Sequence, residues 1–268
     1  MKIYRVTRLL RPFDLSQTSN RIAIFGFAAS GAASLVWDLA KGDSPEFVDA
    51  LWVAAASFLS WATARELDPD RPGTATLAMT LATVAVILGP WETSLVISAA
   101  ALLGLRVLAG TVGGYLKPLD LVIFVGLSVF AGMRIEGWVV VLLLVLGVLD
   151  SRPTGYAWAI PAMLLGAAVS GFITDVGLPD NPMADEVYLW GLIATAAVPL
   201  AVRAVRIRTR TDIFDHPIRW PNVRAARVMA GFVVVGGLLA SDADSVVLLS
   251  PVLAGLVATA LVRTFRPA

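Results

Sequence analysis

The stretch that decides the fold is residues 119–150, LDLVIFVGLSVFAGMRIEGWVVVLLLVLGVLD. It is apolar almost throughout, yet too long for one straight crossing of a bilayer, which takes roughly 20 residues at about 1.5 Å rise each. Arg134-Ile135-Glu136-Gly137 sits at its middle. Two charges are costly inside hydrocarbon, and with a glycine beside them they are natural in a turn. The stretch therefore reads as a tight hairpin of two short membrane helices, over 119–133 and 137–150.

The same reading extends outward. Further apolar runs occupy 22–40, 48–64, 74–90, 94–109, 157–174, 187–205, 228–241 and 245–262. The expectation is an all-α integral membrane protein, a compact bundle of about ten short transmembrane helices arranged as hairpins. Several runs are shorter than a straight span, so their flanks must complete the crossing or the local bilayer must thin. The runs on either side of Gly89-Pro90-Trp91-Glu92 also read as one broken or re-entrant element. Composition agrees. The chain is 57% hydrophobic and 15% charged, with a mean hydropathy of +0.78. Soluble domains are roughly 45–50% apolar and about 25% charged.

Orientation follows from the basic residues. With the N-terminus inside, the inner segments hold every lysine and arginine except Lys41 and Arg134. The outer loops are acidic, with Asp43, Glu46, Asp49, Glu92, Asp180, Asp185, Glu186, Asp242 and Asp244. A wrong helix count would scramble this alternation beyond the error. The split thus supports an N-in, C-in protein of the plasma membrane, with both termini cytoplasmic. Trp37, Trp52, Trp91, Trp138, Trp158 and Trp190 fall near run ends, where an indole N–H stays wet. Trp61 lies about one turn inside. Interface anchoring is the expectation for nearly every tryptophan.

Residues 1–20 form a basic cytoplasmic or interfacial segment. Lys2, Arg5, Arg8 and Arg11 alternate with Ile3, Val6, Leu9, Leu10 and Phe13. That pattern suits either a basic amphipathic helix on anionic lipid or a solvated tail. No apolar run with a cleavage site follows, so it does not read as a signal peptide. Residues 21–268 read as a single multi-pass domain, with a basic inner loop at about 206–227. The inner loops resemble one another. Leu10-Arg11-Pro12-Phe13-Asp14-Leu15 parallels Leu116-Lys117-Pro118-Leu119-Asp120-Leu121. Leu67-Asp68-Pro69-Asp70-Arg71-Pro72 parallels Leu149-Asp150-Ser151-Arg152-Pro153. Either a four-helix unit is duplicated, or Pro and Asp simply start and cap helices at each inner loop.

What the chain lacks narrows its chemistry. It has no cysteine, which removes disulfides and thiolate metal sites. It has one histidine, His216, so a multi-histidine haem or copper centre cannot be built from it alone. Lys2, Lys41 and Lys117 all lie outside the span middles, so a Schiff-base cofactor has no anchor. A net charge of +1 offers no bulk field for nucleic acid.

The densest cluster of charge is Arg65-Glu66-Leu67-Asp68-Pro69-Asp70-Arg71-Pro72. Arg65, Asp68, Asp70 and Arg71 are the candidate ligand-binding residues, because guanidinium groups grip phosphate bidentately. Glu66, Asp68 and Asp70 would carry catalysis only under an enzyme reading, in which carboxylates hold Mg²⁺ against a substrate phosphate. The simpler reading is a charged turn stopped and restarted by its prolines. No cofactor is expected outside the enzyme reading. Asp215 beside His216 would orient it as a base, although a lone loop histidine is usually unremarkable. Asp38, Arg106, Asp120, Asp150 and Asp175 lie at span ends, where they reach headgroups. Arg106 is the deepest, and it would either pair with Asp120 or extend to the inner surface.

The span middles hold hydroxyls, among them Ser30, Ser57, Thr83 and Ser170, and helix prolines Pro161, Pro199 and Pro251. They hold no ionisable group, which argues against a proton relay through a mid-membrane carboxylate. Three functions fit. The leading expectation is a transporter or facilitator for an uncharged or amphipathic, lipid-like solute. The second is an inner-leaflet enzyme acting on a phosphorylated lipid. The third is a structural or assembly subunit using small-residue helix faces. Membrane lipids are the expected partners, with homo-oligomers or membrane-complex subunits beside them.

Overall fold

The computed structural model describes residues 7–9, 15–88, 94–151, 158–174, 185–202, 207–211, 216–240 and 249–265. Among them the chain forms ten α-helices and no strand. They are α1 (Thr18–Lys41), α2 (Phe47–Leu67), α3 (Pro72–Leu88), α4 (Leu95–Ala109) and α5 (Pro118–Gly132), then α6 (Gly137–Ser151), α7 (Ala159–Ile173), α8 (Asp185–Ala201), α9 (Trp220–Ala240) and α10 (Ser250–Phe265).

The boundaries follow local chemistry. Pro72 and Pro118 open α3 and α5, where a missing N–H costs nothing. Ser94 caps α4 by accepting from the Ile97 amide at 3.3 Å. Gly42 and Gly110 close α1 and α4 in the left-handed conformation, at φ +83° and +67°. The decisive stretch breaks where its sequence predicts. α5 ends at Gly132, α6 begins at Gly137, and the turn closes with Arg134 N–H on Ala131 O at 3.2 Å and Gly137 N–H on Arg134 O at 3.1 Å. Glycine is required at 137, because a Cβ there would run into the Ala131 carbonyl. The two runs beside Gly89–Glu92 form separate helices that do not pack on each other among the described residues. The connection itself, like residues 10–14 of the first inner motif, lies outside those residues.

Two helices organise the packing. α2 lies against α1, α3, α4 and α10, and α10 lies against α2, α3 and α8. On the other side α4 packs on α6 and α9, and α5 packs on α6 and α7. These contacts do not follow a duplicated four-helix unit. In the first four helices α2 is the hub, whereas in the next four the hub is α5. The larger core gathers Leu105, Phe124, Leu143, Leu144 and Val252, and a smaller one gathers Trp61, Ala64, Met79 and Ala258. Trp61, stacked on Phe58 at 5.6 Å, thus belongs to the core and departs from the anchoring expected of the tryptophans.

Large apolar side chains also cover the outside. Phe25, Leu39, Phe47, Phe130, Leu165 and Phe172 are exposed. α1 and α2 are long and apolar enough to cross a membrane, and six other apolar helices are 15–17 residues long.

Candidate functional site

One end of the bundle collects the ends of many elements. The C-terminal ends of α2, α4, α8 and α10 meet there with the N-terminal ends of α3, α5 and α9 and with residues 7–9. The charged loop after α2 is at its centre, and its three carboxylates go three different ways.

Asp68 turns inward and is fully buried. Its Oδ1 accepts from Arg263 Nη2 of α10 at 2.5 Å and pairs with Arg227 Nη2 of α9 at 3.6 Å. Its Oδ2 accepts from the Thr74 hydroxyl at 3.0 Å. Arg227, also fully buried, donates from Nε to the Leu67 carbonyl at 2.6 Å and from Nη1 to the Ala201 carbonyl at 2.8 Å. Those carbonyls end α2 and α8, so this side chain caps two helices at once. Its guanidinium also lies over the Trp220 ring, 5.1 Å from the centroid. Two cations share one carboxylate. Arg227 Nη2 and Arg263 Nε and Nη1 find no hydrogen-bond partner among the described residues.

Glu66 points toward α4. It accepts from Arg106 Nε at 2.8 Å and from the Thr111 hydroxyl. Arg106 also donates from Nη1 to the Leu9 carbonyl at 2.6 Å. Arg106 therefore pairs with Glu66, and Asp120 has other partners. As N3 of α5, Asp120 accepts from the Lys117 amide at 2.7 Å. It also accepts from the Thr7 hydroxyl and from the Arg8 amide at 3.0 Å. Residues 7–9 are thereby clasped between α4 and α5, with Leu9 buried.

Asp70 faces outward to the loop before α9. It accepts from the Thr209 hydroxyl at 2.5 Å and from the Thr209 and Arg208 amides at 2.8 and 3.0 Å. Partial burial pushes its pKa up, but these hydrogen bonds and the charge of Arg263 outweigh that, and the carboxyl is held below its ordinary value. Arg210 and Pro217 pair as an isolated antiparallel bridge, so the loop arrives as a short folded arm. His216 accepts from the Thr211 amide at 2.7 Å through its carbonyl, and Asp215 lies outside the described residues.

Arg65, Asp68, Asp70 and Arg71 thus do not converge on one point. Arg65 is half-buried in the last turn of α2, and Arg71 donates to the Val262 carbonyl of α10 at 3.4 Å. Glu66, Asp68 and Asp70 have their oxygens committed to separate partners. No group of three or more His, Asp or Glu able to hold a metal occurs among the described residues. Mg²⁺ held by one or two of these carboxylates against a substrate phosphate would have to displace the partners they already have. Sequence reasoning did not single out Arg227, Arg263 or Thr74. Their one signal is placement at the edges of apolar helices, where an arginine needs a partner or water.

The hydroxyls of the helix middles are also engaged. Thr83 bonds both Ser30 and Ser57 at 2.7 Å, and Ser60 donates to the Ala78 carbonyl at 2.9 Å. Ser170 donates to the Val129 carbonyl at 2.7 Å.

Among the described residues two clefts open at this end. One, of about 860 Å³, lies between the start of α3 and the end of α10. Asp70, Arg71 and Thr74 form its polar side, and Leu77, Leu261 and Phe265 its apolar side. The other, of about 550 Å³, lies between the α4–α5 turn, the end of α6 and the start of α9. Comparison with protein-family models, curated proteins and solved structures gave no match for this chain.

Proposed function

We propose that the chain is a multi-pass protein of the plasma membrane, with both termini cytoplasmic, that passes an amphipathic, lipid-like solute without proton coupling. The observation that carries this reading is the α3–α10 cleft. Its volume falls within the roughly 300–1,000 Å³ of small-molecule sites. Arg71 stands at one end for a polar head, and Leu77, Leu261 and Phe265 line a path for an apolar tail. Thr74 joins this wall to buried Asp68, so the polar rim rests on a fixed base.

The membrane setting is supported by the exposed phenylalanines and leucines of α1, α2, α5 and α7. It is also supported by the meeting, at one end, of those helix ends that an alternating path with both termini inside would bring together. Helices of 15 residues span only about 22 Å at the α-helical rise, so the bilayer would thin around α4 to α7. The alternative of a lipid-phosphate enzyme finds less support, because its carboxylates are already occupied.

Two measurements test the reading. Single cysteines at Ser44 and Arg210 are to be probed with an impermeant thiol reagent in intact cells. Ser44→Cys should label, and Arg210→Cys should label only after permeabilisation. The reverse would overturn the topology. In proteoliposomes, transbilayer movement of a fluorescent phospholipid should be fast, insensitive to an imposed pH gradient and slowed by Leu261→Trp, which fills the cleft. Uphill accumulation driven by that gradient, or no movement above empty vesicles, would refute the transport reading.

A further inference from the structure

The cluster around Asp68 is unbalanced in charge. Arg227 and Arg263 are both buried, and Asp68 is the one buried carboxylate paired with them among the described residues. The other charges acting on Arg227 are those of half-buried Asp70 and Arg71, which offset each other. One positive charge is left over inside the bundle, where an uncompensated charge is strongly unfavourable. The hydrogen bonds are unbalanced in the same place. Arg263 gives Nη2 to Asp68 Oδ1, while its Nε and Nη1 are buried with no partner among the described residues. Arg227 has Nε and Nη1 on the Leu67 and Ala201 carbonyls. Its buried Nη2 stops 3.6 Å from the same Asp68 oxygen, beyond hydrogen-bond length. Both guanidiniums thus stand against one oxygen, and both keep N–H groups unused. Buried donors are almost always paired, by an ion or by water where protein groups do not reach.

From this we infer that a small monovalent anion, a halide such as chloride, binds beside Asp68 at Arg263, with the Nη2 and the charge of Arg227 next to it. A halide answers both imbalances at once, since it carries the missing negative charge and accepts N–H groups from several directions. Water would satisfy the donors and leave the charge. Phosphate or sulfate would bring more charge than is missing and need more room than close-packed, fully buried side chains leave. The anion would fasten α10 to α9 and, through the two carbonyls that Arg227 caps, to the ends of α2 and α8. Thr74, bonded to Asp68, lines the α3–α10 cleft, which gives the ion a way in. The inference does not depend on a solute passing through that cleft.

The test is thermal unfolding of the full chain in detergent, in chloride, bromide or gluconate at equal ionic strength. At about tenfold above half-saturation, chloride and bromide should raise the melting temperature by about 2–5 °C over gluconate. Arg263→Met removes the surplus charge and should abolish the difference. Arg224→Met, at an exposed position of α9, should retain it. Crystals of the unsubstituted protein grown in bromide should show anomalous density beside Arg263, which keeps the site testable if Arg263→Met does not fold. A halide effect of the same size in Arg263→Met would mean a general salt effect and would overturn the site, as would its loss in Arg224→Met. Equal melting in all three salts, or bromide crystals with no density there, would leave the N–H groups to water and overturn it as well.

Discussion

The two ends of the bundle are held together by opposite means. At the charged end, buried carboxylates and guanidiniums join elements far apart in sequence, Glu66 to Arg106 and Asp68 to Arg227 and Arg263. At the other end, around the α5–α6 turn, contact depends on side chains that are missing. A Cβ on Gly132 would lie 2.5 Å from the Ala167 Cα, and one on Gly171 would lie 3.0 Å from the Gly132 carbonyl. Thr174 adds a hydroxyl bond to the Met133 carbonyl at 3.3 Å. Glu136 is the one buried carboxylate described there. Charge tolerates distance and imposes partner choice, whereas close backbone packing imposes only size. One end can therefore specify which helices meet, and the other can only let them approach.

The comparison breaks most visibly at Asp68. Asp68→Ala leaves two buried guanidiniums without a counter-charge and should cost about 3–5 kcal/mol of stability. Arg263→Met should cost clearly less, because Asp68 keeps Arg227 and Thr74. Denaturant unfolding in detergent reads both, and equal losses would show that the charges do not act as a unit. Next comes Gly132→Ala, which pushes α5 and α7 apart and should cost about 1–3 kcal/mol. Gly126→Ala in the same helix meets nothing within 4 Å and should be neutral or slightly stabilising. If both behave alike, close packing is not what holds that end.

The smallest effect is local. Asp70 has a pKa depressed below its ordinary value of 3.8. Its contribution is therefore complete above that value and lost as pH falls through the depressed one. On acidification through the carboxylate range, hydrogen exchange at the Arg208 and Thr209 amides should accelerate while the α5–α7 contact stays protected. Unchanged exchange at those two amides would remove Asp70 as the anchor of the arm.

Ten helices were legible, and so were the breaks at which a residue relieves a local cost: Gly137 under the Ala131 carbonyl, Pro118 at the start of α5, Gly110 in a left-handed cap; the start of α9 was not, because the helix begins at Trp220, ahead of the apolar run at 228–241. The charged loop was legible as a concentration of charge. Its wiring was not. Asp68 and Asp70 are two residues apart and identical in kind, yet one is buried under two arginines and the other holds a loop. Only the packing of α9 and α10 against α2 separates them. Arg106 offered two carboxylates, Asp120 and Glu66, and the sequence weighed only the first. Asp120 was already taken by Lys117, Thr7 and Arg8, and Thr7 carried no signal at all. Trp61 missed the boundary role because a span's depth is read from sequence while its neighbours are not.

Asp68 and Arg263 are 195 residues apart. At a synthesis rate of about 5–20 residues per second, the acid is made roughly 10–40 seconds before its closest cation. During that interval α2 and α3 exist without α10, and the carboxylate must be kept in contact with water or with an assisting factor. With α2 crossing a bilayer as proposed, a position at the very end of the helix permits this, whereas the same residue at mid-helix would leave a bare charge in lipid. The placement of Asp68 is thus as much a condition on how the nascent protein is assembled as on how the finished one is held.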